Sequence, residues 1–247
     1  MSTKLPNGVA SIERLAWDSD FFGVPIARLR ATPLEAASLD EALEACRGEG
    51  IRCVCALLDA DDLVGAALAQ ERGFAVRDVR LELARPLPAP DAARLPGTDG
   101  AVVAARASDG PALEELARAS TMPSRFFADP GFPRERCREL YAAFVRRGLA
   151  DPARVTLAAP AAAGAIVCHR DEPAGVGTIE LVAVAPALQG QGVGRALVAA
   201  ALADFAKAGL GTAVVVTQAV NVAAQRLYQG AGFRTRHAGV WLHCWLP

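Results

Sequence analysis

The stretch Val184-Ala185-Pro186-Ala187-Leu188-Gln189-Gly190-Gln191-Gly192-Val193-Gly194 decides the fold of this chain. The residues leading into it, 177–184, read as a strand. After it, Val193, Leu197, Ala201 and Phe205 recur every four residues and share one face of a helix that runs to about Ala208. The glycines therefore lie in a strand-to-helix turn. Alternating glycines remove Cβ atoms, so the backbone can approach a ligand closely. Successive N–H groups then point to one place at the positive end of a helix, a geometry that suits a pyrophosphate. No Lys-Ser/Thr pair follows, which excludes a P-loop. The glycine spacing is wrong for a dinucleotide fold, and no acidic residue stands about 20 positions on. Taken alone, the loop leaves an ordinary glycine-rich turn open as the alternative.

A second motif lies downstream. Asn221-x-x-Ala224-x-x-Leu227-Tyr228 is followed by Gly232-Phe233. Ala224, Leu227 and Tyr228 share a helix face by their three- and four-residue spacing. Asn221 stands at the helix start, where its side chain can cap the helix or reach a ligand. Tyr228 alone could be core packing. Both motifs in this order and spacing point to a cofactor site.

Working outward, residues 155–159, 165–170, 212–217 and 235–245 read as strands, and 221–231 as a helix. Strands alternating with helices argue for a mixed α/β sheet. Residues 101–106 form a further strand, followed by helices at 111–119 and 134–147, with 121–133 loop-like. Residues 85–100, RPLPAPDAARLPGTDG, hold four prolines and two glycines without periodicity. That places a linker at 86–100 between an N-terminal α/β domain, 1–85, and a C-terminal domain, 101–247. In the first domain, 11–15 and 24–30 read as strands around a WDSDFFG turn, 39–48 as a helix, 51–57 as a strand, and Asp62 caps a helix ending at Gly73. Val79, Leu81 and Leu83 alternate with Arg80 and Glu82, as in a half-buried strand. Aligning Gly73-Phe74 with Gly232-Phe233 also matches Leu68 with Leu227 and Gln70 with Gln229. The N-terminal unit reads either as a degenerate half copy of the C-terminal one, without the glycine loop and with Ala69 in place of Tyr228, or as a chance likeness between two βαβ-like stretches.

Composition narrows the function classes. Lys and Arg number 26 against 27 Asp and Glu, so overall charge makes no case for nucleic acid or membrane binding. The longest apolar stretch, around 196–203, is short of the roughly 20 residues a membrane span needs. The N-terminal residues lack the apolar core of a signal peptide. The six cysteines form no CxxC pair and sit mostly in apolar stretches. They read as small hydrophobes in a reducing cytoplasm, with no metal site.

Together the two motifs resemble the GNAT superfamily of N-acetyltransferases. The resemblance implies a mixed sheet splayed at its centre, with acetyl-CoA as co-substrate in the split. Backbone groups of Val182 and Val184 would pair with the pantetheine arm. Gln189 and Gly190 open the loop, and the N–H groups of Gln191, Gly192, Val193, Gly194 and Arg195 would cradle the pyrophosphate. Asn221 and Ala224 would line the CoA side, and Tyr228 would protonate the departing thiolate. Trp17-Asp18-Ser19-Asp20-Phe21-Phe22-Gly23-Val24, Ser124-Arg125-Phe126 and Thr217-Gln218 carry a narrower resemblance, to the TDP-fucosamine acetyltransferase family. It implies a cytoplasmic homodimer that acetylates the amine of a nucleotide-linked amino sugar.

Acetyl transfer also needs a neutral amine. Glu180 shares strand parity with Val182 and Val184, so all three point to one face. There it is either the base, direct or through water, or an ion-paired glutamate. His169 on the neighbouring strand is an alternative base; His237 and His243 on the last strand are weaker ones. Around 122–147, Phe126, Phe127, Phe132 and Tyr141 interleave with Arg125, Arg134, Arg136 and Arg138. Arg125 is the candidate to hold the acceptor's phosphates; the other three read as a solvated helix face. Trp241 and Trp245 share a strand face that serves either a dimer interface or the core. Two other readings remain: an N-acetyltransferase of another amine (protein N-terminus, polyamine or antibiotic), and a non-catalytic acyl-CoA sensor.

Overall fold

A computed structural model describes residues 2–4, 10–31, 33–87, 102–120 and 123–247, with residues 2–4 and 10 as backbone only. The first half runs β1 (Ser2–Lys4), β2 (Ala10–Arg14), α1 (Ala16–Phe22), β3 (Ile26–Ala31), α2 (Ala36–Gly48), β4 (Cys53–Asp59), α3 (Leu63–Glu71) and β5 (Ala75–Pro86). The second runs β6 (Val103–Ala104), α4 (Gly110–Ala119), α5 (Arg125–Ala128), α6 (Arg134–Ala150), β7 (Arg154–Ala158), β8 (Gly164–Asp171), β9 (Val176–Val184), α7 (Val193–Lys207), β10 (Thr212–Gln218), α8 (Val222–Gly230) and β11 (Arg234–Trp245).

Among the described residues, eleven strands join one mixed sheet in the order β1-β2-β3-β4-β11-β5-β10-β9-β8-β7-β6. Each half lends its last strand to the other: β11 lies between β4 and β5, and β5 between β11 and β10. The arrangement is pseudo-symmetric. β3 pairs parallel with β4 through the α2 crossover, as β9 pairs parallel with β10 through α7. β2 and β8 flank these pairs antiparallel. The half-copy reading extends to single hydrogen bonds. Phe74 N–H donates to Ala69 O at 3.1 Å, and Phe233 N–H to Tyr228 O at 3.0 Å. Gly73 and Gly232 both take left-handed φ, +85° and +88°, to turn the chain into the next strand. Of the expected linker, Pro86 ends β5 opposite Thr212 and the Leu87 N–H donates to Gly211 O; residues 88–100 lie outside the described residues.

The layering follows from strand alternation. On β4, Val54, Ala56 and Leu58 pack with α2 and α3, while Cys53, Cys55 and Leu57 face α1, α5 and α6. On β8, Ile166 and Cys168 face α7, while Ala165 and Val167 face α4 and α6. Gly177 lets α7 lie close on β9, since a Cβ there would stand 2.4 Å from the Phe205 ring. All six cysteines are buried and free of disulfides. Trp241 packs in the core beneath α5 and α6, with Trp245 against the same cluster. The WDSDFFG segment is not a turn but helix α1. Trp17 and Phe21 stack at 5.0 Å one helical turn apart, and the Ser19 hydroxyl bonds the Leu15 carbonyl and the Ile26 N–H.

Candidate active site

β9 and β10 pair only from Val176–Thr212 to Ile179–Val215, although β9 continues to Val184 and β10 to Gln218. The strands part at Ile179. At that point β9 also slips one residue against β8: Val167 pairs Leu181 and Cys168 pairs Ile179, so Glu180 is the extra residue of a bulge. The bulge reverses strand parity. Ile179 packs with α7, yet Leu181 and Ala183, two and four positions on, pack with α4 and α6. The parity expected for Glu180 is thereby corrected: Val182 and Val184 lean toward the α7 cluster, while Glu180 turns to Arg154 of β7. Arg154 grips it with both arms, Nε to Oε2 at 2.8 Å and Nη2 to Oε1 at 2.9 Å, and is itself paired with Asp151.

The parted strands open a cavity of about 750 Å³. Its outer end is the glycine loop. Gly190 and Gly192 adopt left-handed φ of +76° and +90°, and a Cβ on either would meet nothing within 4 Å. Gly192 precedes α7 with no side-chain cap. The N–H groups of Val193, Gly194 and Arg195 therefore have no acceptor within the helix, at its positive end. The Gln191 N–H is engaged by Leu188 O at 3.4 Å. Of the expected cofactor residues, Val182, Val184, Gln189, Gly190, Gly192, Gly194, Arg195, Asn221 and Ala224 line the cavity. Gln191 and Val193 do not: the Gln191 amide turns back to Ala187 O, and Val193 packs into the core. Asn221 caps α8, accepting from the Ala224 N–H at 3.1 Å.

Glu180 and Tyr228 both line the inner cavity. Tyr228 is 5% exposed, with its ring edge-on to Phe233. Burial pushes its phenol above the ordinary range, with Cys168 adding to the shift. It thus stays protonated and able to donate at neutral pH. Ser120, Pro123 and Tyr141 close the inner end from α4, α6 and the segment between them. Burial pushes Tyr141 up to about 12, against a hydrogen bond with Ser124. Tyr141 was one of four aromatics expected near an acceptor; Phe126 and Phe132 go into the core instead, and Phe127 packs beside it. Arg226, Thr217 and Gln218 also line the cavity. Arg226 is a lone charge between motif residues, and only its position beside Leu227 could have marked it.

Arg125 is not in the cavity wall. It begins the short helix α5, 9% exposed, with its guanidinium 4.1 Å from the Trp241 ring and 4.2 Å from Phe126. Its Nη1 lies 3.2 Å from His243 Nε2. His243 Nδ1 lies 2.6 Å from Asp129 Oδ2. Cys53, Cys55 and His243 bring their ligand atoms within 4.8 Å of one another, a grouping that could hold a metal ion, and Arg125 meets the same imidazole at Nε2. His169 lies outside the cavity lining, and His237 pairs with Asp59 near the surface. Among the described residues, no helix is long and apolar enough to cross a membrane.

Comparison with known proteins accords with this geometry. Residues 113–233 match the acetyltransferase (GNAT) family. The dTDP-fucosamine acetyltransferase of Escherichia coli O6:H1 is 30% identical over 240 residues, which cover 95% of this chain and 98% of that protein. The mycothiol acetyltransferase of Nocardia farcinica is 40% identical over 72 residues, covering 29% of this chain and 24% of that one. A GCN5-related N-acetyltransferase from Sphaerobacter thermophilus has the same fold, with a TM-score of 0.63 at 18% identity over 96% of this chain and 78% of its own. With sheet, split and glycine loop in place and a relative matched along nearly its whole length, the chain belongs to the GNAT family of acetyltransferases, enzymes that use acetyl-CoA as co-substrate.

Proposed function

We propose that the protein transfers the acetyl group of acetyl-CoA to the primary amine of a nucleotide-linked amino sugar. The observation that carries this is the continuity of the cavity, from the free N–H groups of α7 past Glu180 and Tyr228 to Ser120, Pro123 and Tyr141. The outer end suits a pyrophosphate, and the gap between β9 and β10 suits an extended arm. The inner end, lined by hydroxyls and an aromatic, suits a sugar. The amino-sugar acceptor is favoured by the 30% likeness to dTDP-fucosamine acetyltransferase along almost the full chain.

When bound, acetyl-CoA supplies an acetyl thioester. Transfer forms the amide N–C bond and breaks the C–S bond, so one proton must leave the amine and one must reach sulfur. Tyr228 donates the second. Glu180 takes the first through a water, its carboxylate kept in place by Arg154. The six buried, disulfide-free cysteines suit a reducing cytoplasm. A second acceptor class, another small amine, is favoured by the shorter match to mycothiol acetyltransferase.

Free thiol released from acetyl-CoA, measured across amines, tests the reading. The panel holds TDP- and UDP-linked 4-amino and 3-amino sugars, polyamines, an aminoglycoside and N-terminal peptides. Rapid release with an amino-sugar nucleotide alone is expected. Release only with another amine discards the sugar and keeps the acetyltransferase.

A further inference from the structure

Two arginines in the cavity wall have no partner of their own. Arg195 lies in the first turn of α7 and Arg226 in the middle of α8; both are exposed and both line the cavity. Among the described residues neither makes a hydrogen bond or ion pair. Many other surface arginines are engaged. Arg118 and Arg146 share Glu114 and Glu139, Arg170 holds Asp204, and Arg236 holds Glu82.

The two come from different helices but flank one contact. A Cβ on Gly194 would lie 3.4 Å from Leu227 Cδ2, so the first turn of α7 touches α8 there. Arg195 follows Gly194 in the chain and Arg226 precedes Leu227. Among the described residues the only carboxylate lining the cavity is Glu180, at the inner end and held by Arg154. The outer end thus gathers two guanidinium groups and the free N–H groups of a helix start without a counter-charge. The helix N–H groups are sufficient donors for a pyrophosphate. A guanidinium on the neighbouring helix is placed for a different group: a phosphate monoester beside that pyrophosphate, whose oxygens match the arginine fork.

Resting on the acetyl-CoA reading, we propose that Arg226 recognises the 3′-phosphate of coenzyme A, with Arg195 serving the pyrophosphate, so that this pair sets the preference for coenzyme A over its 3′-dephospho form. Loss of one charge-assisted contact to a phosphate corresponds to about tenfold or more in affinity.

The test is calorimetric titration of CoA and 3′-dephospho-CoA into the full chain and into Arg226→Gln and Arg195→Gln. The wild type is expected to bind CoA about tenfold or more tightly than dephospho-CoA. Arg226→Gln should abolish that preference by weakening CoA alone, and Arg195→Gln should weaken both ligands together. The preference should also shrink as salt rises. Thermal melting without ligand should leave Arg226→Gln at the wild-type midpoint, since the side chain touches no partner. Equal weakening of both ligands by Arg226→Gln, or no weakening of either, overturns the assignment while leaving the acetyl-CoA site intact. A wild type without preference does the same. A wild type that binds neither ligand overturns the cofactor reading itself.

Discussion

Tyr228 and Glu180 face one cavity from opposite walls, and their surroundings suit them to opposite roles. Tyr228 is buried beside Phe233, and its raised pKa keeps the proton on through neutral and mildly alkaline pH. A group that stays protonated is a proton donor. Tyr228→Phe removes the hydroxyl and keeps the ring. Turnover should fall by about 10²-fold, with acetyl-CoA affinity unchanged in equilibrium titration. Unchanged turnover would remove Tyr228 as the acid and leave it a packing residue. Spacing placed Tyr228 on one helix face with Ala224 and Leu227, because helical periodicity is local, while its role came only from the resemblance that the two motifs carry. Glu180 was legible only in part. Its place in the cavity follows from its strand, but one extra residue against β8 turned its side chain to Arg154, and no local pattern marks such a slip.

At the scale of elements, the connection from α5 to α6 is fastened to β11 through one carboxylate. Asp129, 1% exposed, accepts from the Gly131 N–H at 3.0 Å, from Trp245 Nε1 at 3.0 Å and from His243 Nδ1 at 2.6 Å, and Arg77 Nε stands 3.3 Å away. Burial alone would raise its pKa, but these partners outweigh it and hold the carboxyl below the usual range. Asp129→Asn should therefore cost about 3 kcal/mol, because it leaves buried donors and a buried cation uncompensated. Denaturant titration at pH 7 would measure it. A native pKa below the unfolded value gives stability that is present above about pH 4 and lost as pH falls through the lowered native value. The gap between wild type and variant should accordingly narrow in acid. A gap below about 0.5 kcal/mol at neutral pH would place Asp129 with ordinary surface pairs. The network's long-range members could not be read from sequence, since His243 and Trp245 lie more than a hundred residues from Asp129. The helix starts were legible: Asp62 and Asn221 each cap a nine-residue helix through an N–H three residues on. Helix α1 was not, because its seven residues hold the aromatics and aspartates of a loop and gain their helical form from packing against β3 and α5.

The whole molecule repeats one topology twice but repeats the site's chemistry once. In the first half, β3 and β4 pair over four residues and then run on, as β9 and β10 do. There the correspondence stops. The β2–β3 register is unbroken from Ala10–Ala31 to Arg14–Ala27, so no bulge turns β3 away from β4. Glu35 precedes α2 where Gly192 precedes α7, setting a carboxylate at the positive end that a pyrophosphate would need. Asp62 stands for Asn221 and Ala69 for Tyr228, so the matching helix presents a second negative charge and no phenol. The space that would hold a cofactor is instead core: Leu34, Leu39, Leu58 and Ala69 are all under 6% exposed. What the first half contributes is β5, which pairs β10 along its full length and backs the cavity wall at Thr217 and Gln218. Calorimetric titration of acetyl-CoA into the full chain should accordingly saturate at one molecule per chain. Two equivalents per chain would mean that the first half had kept a site of its own. The strand exchange makes a further demand on the same experiment. Because β5 and β11 each complete the other half's sheet, the halves should unfold together, and saturating acetyl-CoA should move a single thermal transition rather than the second of two.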